Sequence, residues 1–274
     1  MILWTPEILH QHLSDTQLKI VDVRQGEAYA NGHIPGAQHF SVYGINTYDT
    51  DKASLRSFVH SWAFQLGRCG VGPQSKVVFY EDLSGATAAR AHWFLEYFGH
   101  KQVHILDGGL QAWLEAGYSV TQNAQLPEPV NYDYTLQNDR VASYQDILNA
   151  IGQDSTIILD TRADDEWFGT RRSALRNGTI PGAIHLEWVH NLDAKGRFKS
   201  VEQLRQLYQN MSITDDKEVI ALCNTGYRSA LACVALRLMS FSKVRNYVGS
   251  WQEWGNREGM PIIVPKDPVK APLQ

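Results

Sequence analysis

The stretch Val219-Ile220-Ala221-Leu222-Cys223-Asn224-Thr225-Gly226-Tyr227-Arg228-Ser229-Ala230 decides how this chain is read. Four apolar residues, Val219 to Leu222, predict a strand buried in a parallel sheet. Asn224 to Tyr227 predict a short turn. From Arg228 onward Ala230, Leu231, Val234, Ala235 and Leu238 are spaced for one buried helical stripe. A cysteine therefore stands where a strand ends, and a tight loop carries the chain from it into a helix N-terminus.

That placement favours a thiolate. The free N–H groups of the first helical turn and the positive end of the helix dipole point into the loop. The dipole alone is worth roughly 0.3–1 kcal/mol, less than about one pKa unit. Arg228 adds a full positive charge, so Cys223 is expected to be partly ionised at neutral pH and nucleophilic. A lone cysteine is more often a small buried hydrophobe; the polar loop and Gly226 argue for the reactive reading.

The 274 residues suffice for two domains of ordinary size, and a hydrophobic content of 43% supports packed cores rather than disorder. With a net charge of −4 and no long basic run, a nucleic-acid partner is not expected. Cys69, Cys223 and Cys233 form no C-x-x-C pair, which disfavours a zinc site or disulfide scaffold and suits a reducing compartment. The N-terminal MILWTPEILHQHL has neither a basic flank nor a long apolar core, so no signal peptide or membrane span is read and a cytoplasmic location is expected.

The order of elements occurs twice. Lys19–Val23, Lys76–Tyr80 and Val103–Leu106 read as strands, with helices over Leu55–Leu66 and Gly85–Phe98. Ile157–Asp160 then repeats Ile20–Asp22, and Arg162 repeats Arg24. Ile180–Ala183 repeats Ile34–Ala37, His185 matches His39, Val219–Leu222 repeats Val77–Tyr80, and Trp254 stands against Trp113. The offsets at Asp160, Ile180 and Trp254 are 138, 146 and 141 residues, so loop lengths drift while order holds. This is the signature of a duplicated domain. Residues 1–120 are assigned to the first domain, the polar stretch 121–138 with Pro127 and Pro129 to a linker, and 139–274 to the second. Alternating strands and helices predict an α/β fold with mainly parallel sheets, whose sites lie at the carboxyl ends of strands. Aligning Gly85 with Gly226 puts Asp82 opposite Cys223, so the first half is expected to lack thiolate chemistry.

These motifs resemble those of the two-domain rhodaneses, the thiosulfate and 3-mercaptopyruvate sulfurtransferases. The resemblance rests on Gly32-His33-Ile34-Pro35-Gly36-Ala37, the D-x-R strand ends, Leu106-Asp107-Gly108-Gly109, Gly249-Ser250-Trp251-Gln252-Glu253-Trp254 and the loop Cys223–Ser229, and it covers nearly the whole chain. It implies two tandem rhodanese-like domains, each a mainly parallel five-stranded sheet flanked by helices, the first catalytically degenerate. It implies that Cys223 takes a sulfane sulfur from thiosulfate as a persulfide and passes it to a thiophilic acceptor such as cyanide or a thiol, a double displacement. Backbone N–H groups of Asn224, Thr225, Gly226, Tyr227, Arg228 and Ser229 would cradle the anion. Arg228 would bind the sulfonate-like end of the donor. Thr225 and Ser229 either donate hydroxyl hydrogen bonds or cap the next helix, and Tyr227 lines the mouth or packs. Asp160 and Arg162 would brace the site. No metal or organic cofactor is called for. Partners are a small-molecule donor and acceptor, with no nucleic acid or membrane and a monomer expected. His33, His39 and His185 read as turn or packing residues, Trp188, Trp251 and Trp254 as core or cleft wall, and Cys69 and Cys233 as inert.

Two departures bear on the donor. Mercaptopyruvate enzymes carry a C-G-S-G-V-T-like loop where this chain has Cys-Asn-Thr-Gly-Tyr-Arg, and a substrate-binding arginine where this chain has Glu166. Thiosulfate is therefore the expected donor. 3-Mercaptopyruvate, or a role as sulfur carrier or binding module for a protein acceptor, is the alternative, and Arg171, Arg172 and Arg176 are the arginines that could compensate for Glu166. A rhodanese-like phosphatase is disfavoured, because its loop is C-x5-R and this one is C-x4-R, one residue short of a phosphate cradle.

Overall fold

The computed structural model describes residues 1–266. The polypeptide divides into two compact units, one of residues 1–45, 53–138 and 191–200, the other of 46–52, 139–190 and the chain from 201 onward.

In the first unit the elements run β1 (Leu3–Trp4), α1 (Pro6–Gln11), β2 (Leu18–Asp22), α2 (Gly26–Asn31), β3 (Gln38–His39), α3 (Lys52–Arg68), β4 (Lys76–Tyr80), α4 (Ala86–Tyr97), β5 (Val103–Leu106) and α5 (Gly109–Glu115). In the second they run β6 (Val141–Ala142), α6 (Tyr144–Ala150), β7 (Thr156–Asp160), α7 (Asp164–Trp167), β8 (Ile184–His185), α8 (Val201–Asn210), β9 (Glu218–Leu222), α9 (Tyr227–Leu238), β10 (Val244–Tyr247) and α10 (Ser250–Trp254). Each set builds a five-stranded sheet, in the orders β1-β5-β4-β2-β3 and β6-β10-β9-β7-β8. All strand pairs in both sheets are parallel. The central strands read as continuous apolar runs because helices cover both faces of such sheets.

The duplication holds at side-chain level. One core gathers Leu9, Ile20, Ile34, Val78, Leu110 and Trp113. The other gathers Ile147, Ile158, Ile180, Ile220, Trp251 and Trp254 at the corresponding positions. Full burial of such a side chain is worth about 1.5–3 kcal/mol, and the two tryptophans closing each unit also satisfy their indole N–H groups. Trp113 donates to the Ser119 carbonyl at 2.9 Å and Trp254 to that of Pro261 at 3.0 Å.

The strand-end D-x-R pairs are also duplicated. Arg162 lies 2.6 Å from Asp160 through Nη2, donates to it through Nε as well, and reaches the Gly178 carbonyl at 2.7 Å. Arg24 makes the same bonds to Asp22 and to the Gly32 carbonyl. All four residues are buried. The Oδ2 that takes the Nη2 bond also accepts from Thr179 in one unit and from Tyr80 in the other. A buried ion pair needs such complete hydrogen bonding to offset its desolvation. Arg162 also lies over the Trp251 ring at 4.2 Å.

Candidate active site

Strand β9 pairs with β7 so that Leu222 stands beside Asp160 at the carboxyl edge of the sheet. Cys223 is the next residue. Its carbonyl accepts from the Trp251 N–H and that of Asn224 from the Gln252 N–H, both at 3.0 Å, which fastens the loop to the first turn of α10. The Cys223 N–H donates to Ser250 Oγ at 3.1 Å, and Ser250 Oγ in turn donates to the Tyr247 carbonyl at 2.6 Å. Ser250 holds this place with φ +52°, a left-handed conformation that a serine adopts only when its surroundings impose it.

Gly226 turns the chain back over the sulfur. Its φ of +84° lies in the region open to glycine at little cost, and it is the N-cap of α9. Its N–H lies 3.1 Å from Cys223 Sγ. Ser229 Oγ lies 3.5 Å from Sγ and 2.7 Å from Asn246 Oδ1. One hydroxyl carries one proton, so the shorter bond to Asn246 takes it while the sulfur is uncharged. Asn246 also donates to the Gly226 carbonyl at 3.0 Å, clamping both ends of the turn. Burial alone would push the Cys223 thiol up, but the Arg228 charge, the Ser229 hydroxyl and the backbone N–H groups of Ser229 and Thr225 outweigh it and hold the thiol below its ordinary value. Cys223 is 1% exposed, so any partner of the sulfur must reach into the cradle.

Arg228 is paired with a carboxylate of its own unit. Its Nη1 lies 2.6 Å from Glu166 Oε2 and its Nη2 3.1 Å from Oε1, a bidentate pair. Glu166 is buried, accepts from the Ala163 N–H at 3.2 Å, and has Arg171 Nη2 at 3.0 Å. Arg171 is half exposed and also grips Asp165. Arg176 spends its guanidinium on the carbonyls of Trp254, Gly255, Arg257 and Met260, and Arg172 on those of Ala174 and Leu175. Of these three arginines, Arg171 alone joins the network around Arg228.

Other residues singled out in the sequence fall as follows. The helix begins at Tyr227, one residue earlier than expected, and its cap is Gly226, so neither Thr225 nor Ser229 is the N-cap. Asn224 and Thr225 are partly exposed along the loop, as are Tyr227 and Arg228. Asp160 and Arg162 form the buried pair beneath the site described above. His185 bonds the Asp160 carbonyl and Asp164, and His39 the Arg24 carbonyl. Cys69 is buried, with its thiol pushed up to about 11 by desolvation, and Cys233 is buried against the Arg245 carbonyl. Among the described residues no group of three or more His, Cys, Asp or Glu is placed to hold a metal ion, and no helix is long and apolar enough to cross a membrane.

The equivalent loop of the first unit corrects one expectation. Asp22 stands beside Tyr80 as Asp160 stands beside Leu222, so the residue in the place of Cys223 is Glu81, not Asp82. The bonds around it agree, since the Glu81 carbonyl accepts from the Leu110 N–H as that of Cys223 does from Trp251. Between the strand and Gly85 lie Glu81 to Ser84, one residue more than between Leu222 and Gly226, and aligning the glycines alone slips the register. Glu81 Oε1 accepts from the N–H groups of Thr87 and Ala88 at 2.9 and 2.8 Å. The anion cradle of this half is filled by its own carboxylate.

A profile of the rhodanese-like domain matches residues 5–116 and again 143–257. The chain belongs to the rhodanese-like family. A thiosulfate sulfurtransferase of Pseudomonas aeruginosa is 29% identical to this tandem rhodanese over 94% of this chain and 96% of that protein. The sulfur carrier protein TtuD of Thermus thermophilus is 32% identical, covering 95% of this chain and 96% of the relative. Among solved structures, SseA of Escherichia coli, described under the rhodanese fold and mechanism of 3-mercaptopyruvate sulfotransferases, superposes with a TM-score of 0.78 at 26% identity. That match covers 92% of this chain and 99% of SseA. By these relations the tandem rhodanese is a member of the sulfurtransferase enzymes, with two parallel five-stranded sheets as the fold required.

Proposed function

We propose that this sulfurtransferase carries sulfur on Cys223 and takes it from thiosulfate. The Cys223 thiolate attacks the outer sulfur of thiosulfate. The S–S bond to the sulfonate sulfur breaks, its electron pair leaves with sulfite, and Cys223 holds a persulfide anion. Cyanide or a thiolate then attacks the outer sulfur, leaving as thiocyanate or a new persulfide and restoring the thiolate. Charge balances in both steps, and no oxidant is consumed.

The observation that carries this reading is the cradle on one sulfur: a buried Cys223 Sγ facing the Gly226 N–H at 3.1 Å and the Ser229 hydroxyl at 3.5 Å. The Gly226 N–H stabilises an anion formed there without reorganising, and the Ser229 hydroxyl joins it by turning its proton from Asn246. In this reading the loop amides from Asn224 to Ser229 hold the persulfide, Tyr227 lines its mouth, and the charge of Arg228 favours the thiolate. Asp160 and Arg162 hold the strand end in place. The first unit, with Glu81 where the sulfur would be, is the non-catalytic half, and the main crossing from it to the catalytic half comes at the end of the polar stretch 121–138. The donor and acceptor are small molecules in this reading.

The test is intact-mass measurement after incubation with thiosulfate. A gain of about 32 Da, one sulfur on a reactive thiolate, that is lost on adding cyanide and absent from Cys223→Ser supports the reading. A protein that gains no sulfur from thiosulfate refutes it, and a gain from 3-mercaptopyruvate alone assigns the other donor.

A further inference from the structure

We infer that Glu166 is a specificity-determining residue: its carboxylate occupies the Arg228 fork that a donor's carboxylate would need, and so turns the enzyme away from carboxylate-bearing sulfur donors. This rests on Cys223 being the nucleophile. The geometry is specific. A guanidinium recognises a carboxylate through two parallel N–H bonds, and both Nη atoms of Arg228 are spent on the two Glu166 oxygens, at 2.6 and 3.1 Å. Glu166 is 2% exposed and is itself anchored by the Ala163 N–H and by Arg171, so it does not swing aside without breaking several bonds. Burial alone would push the Glu166 carboxyl up, but the Arg228 bond and charge hold it below the usual carboxylate range, so the fork is filled by an anion at neutral pH. Arg228 keeps its through-space effect on Cys223 and loses its capacity to clamp a planar anion. Thiosulfate, whose tetrahedral sulfonate can be met by scattered N–H donors, is penalised less than an α-keto acid.

Two alkylating probes of nearly the same shape separate recruitment from reactivity. Iodoacetate carries a carboxylate and iodoacetamide does not, while both report on the same Cys223 thiolate. The ratio of their rates is therefore insensitive to the acidity of the thiol. In the wild-type protein the iodoacetate-to-iodoacetamide ratio at Cys223 is expected to be no higher than that of a free thiol such as glutathione. In Glu166→Gln, which vacates one oxygen and removes the charge, the ratio is expected to rise about tenfold, with 3-mercaptopyruvate gaining on thiosulfate in kcat/KM. Glu166→Asp is expected to restore a low ratio. A wild-type protein that prefers iodoacetate several-fold overturns the inference without any variant, as does an unchanged ratio in Glu166→Gln. If instead Cys223 is labelled by neither probe and takes no sulfur from thiosulfate, the functional reading itself has failed, a distinguishable result.

Discussion

Glu81 and Cys223 hold the same position in the two halves of the chain. Each follows the central strand, each has its carbonyl bound by the first turn of the last helix, and each turns its side chain into the amides of the helix that follows. The duplicated fold thus offers two anion cradles. One holds the Cys223 sulfur, and the other is closed by a carboxylate of the protein itself.

The carboxylate should be visible in the pH dependence of stability. Desolvation raises Glu81 from its ordinary 4.5 to about 7, against the backbone N–H bonds that favour its charged form. Between those values the folded protein holds a proton that the unfolded chain has released, so stability falls as pH rises through this window. The loss is on the order of 3 kcal/mol. Thermal melting of Glu81→Gln is expected to be flatter between pH 5 and pH 8 and to exceed wild type at pH 8. A wild-type melting temperature that climbs over this range would contradict the assignment.

Arg228 acts on the sulfur through charge. Burial opposes ionisation of Cys223, and Arg228 is foremost among the groups that overcome it. In Arg228→Ala the midpoint of iodoacetamide labelling should move to higher pH, with slower labelling below it. Following labelling against pH, with circular dichroism to check folding, decides this; an unmoved midpoint removes Arg228 from the activation of Cys223.

Replacing Arg162 by Met is expected to be severe. It strands Asp160, fully buried, with Thr179 Oγ1 and backbone donors as partners, and removes the cation over Trp251. A loss of about 3–5 kcal/mol is expected from an uncompensated buried charge, measured by urea denaturation. A loss below about 1 kcal/mol would mean that the pair is not a brace.

Gly226→Ala tests the turn over the sulfur. A side chain at φ +84° costs about 1–2 kcal/mol, and relaxing that strain moves the N–H that faces Sγ at 3.1 Å. Sulfur transfer to cyanide should fall by up to about 100-fold, since a displaced donor costs less than the roughly 10²–10³ of a removed one, while melting drops by only a few degrees. Undiminished turnover would show that this amide does not serve the reaction.

Much of this was legible in the linear chain. The apolar run before Cys223, the glycine after it and the helical stripe from Ala230 are local patterns, and they appear as β9, the Gly226 turn and α9. The repeat was readable because both halves must fill the same core, so Ile34 and Ile180 or Trp113 and Trp254 recur in order. The partners of the loop were not readable. Glu166 is legible in the sequence only as standing in for a substrate-binding arginine, because nothing there shows that α7 turns it toward a residue 62 positions away. Asn246 lies near the end of β10 and Ser250 opens α10 just after it, and their bonds to Ser229 and Cys223 exist only once β10 and β9 pair.

By itself the sequence determined a duplicated α/β chain with one cysteine at a strand end under a helix N-terminus, because strand and helix periodicity, turn glycines and repeated cores are written in neighbouring residues. Only the tertiary structure decided that Arg228 is held by Glu166 and that Glu81, rather than Asp82, answers Cys223. Ion pairs depend on which chain segments the fold brings side by side, and a one-residue difference in loop length, invisible to periodicity, is enough to change which residue answers Cys223.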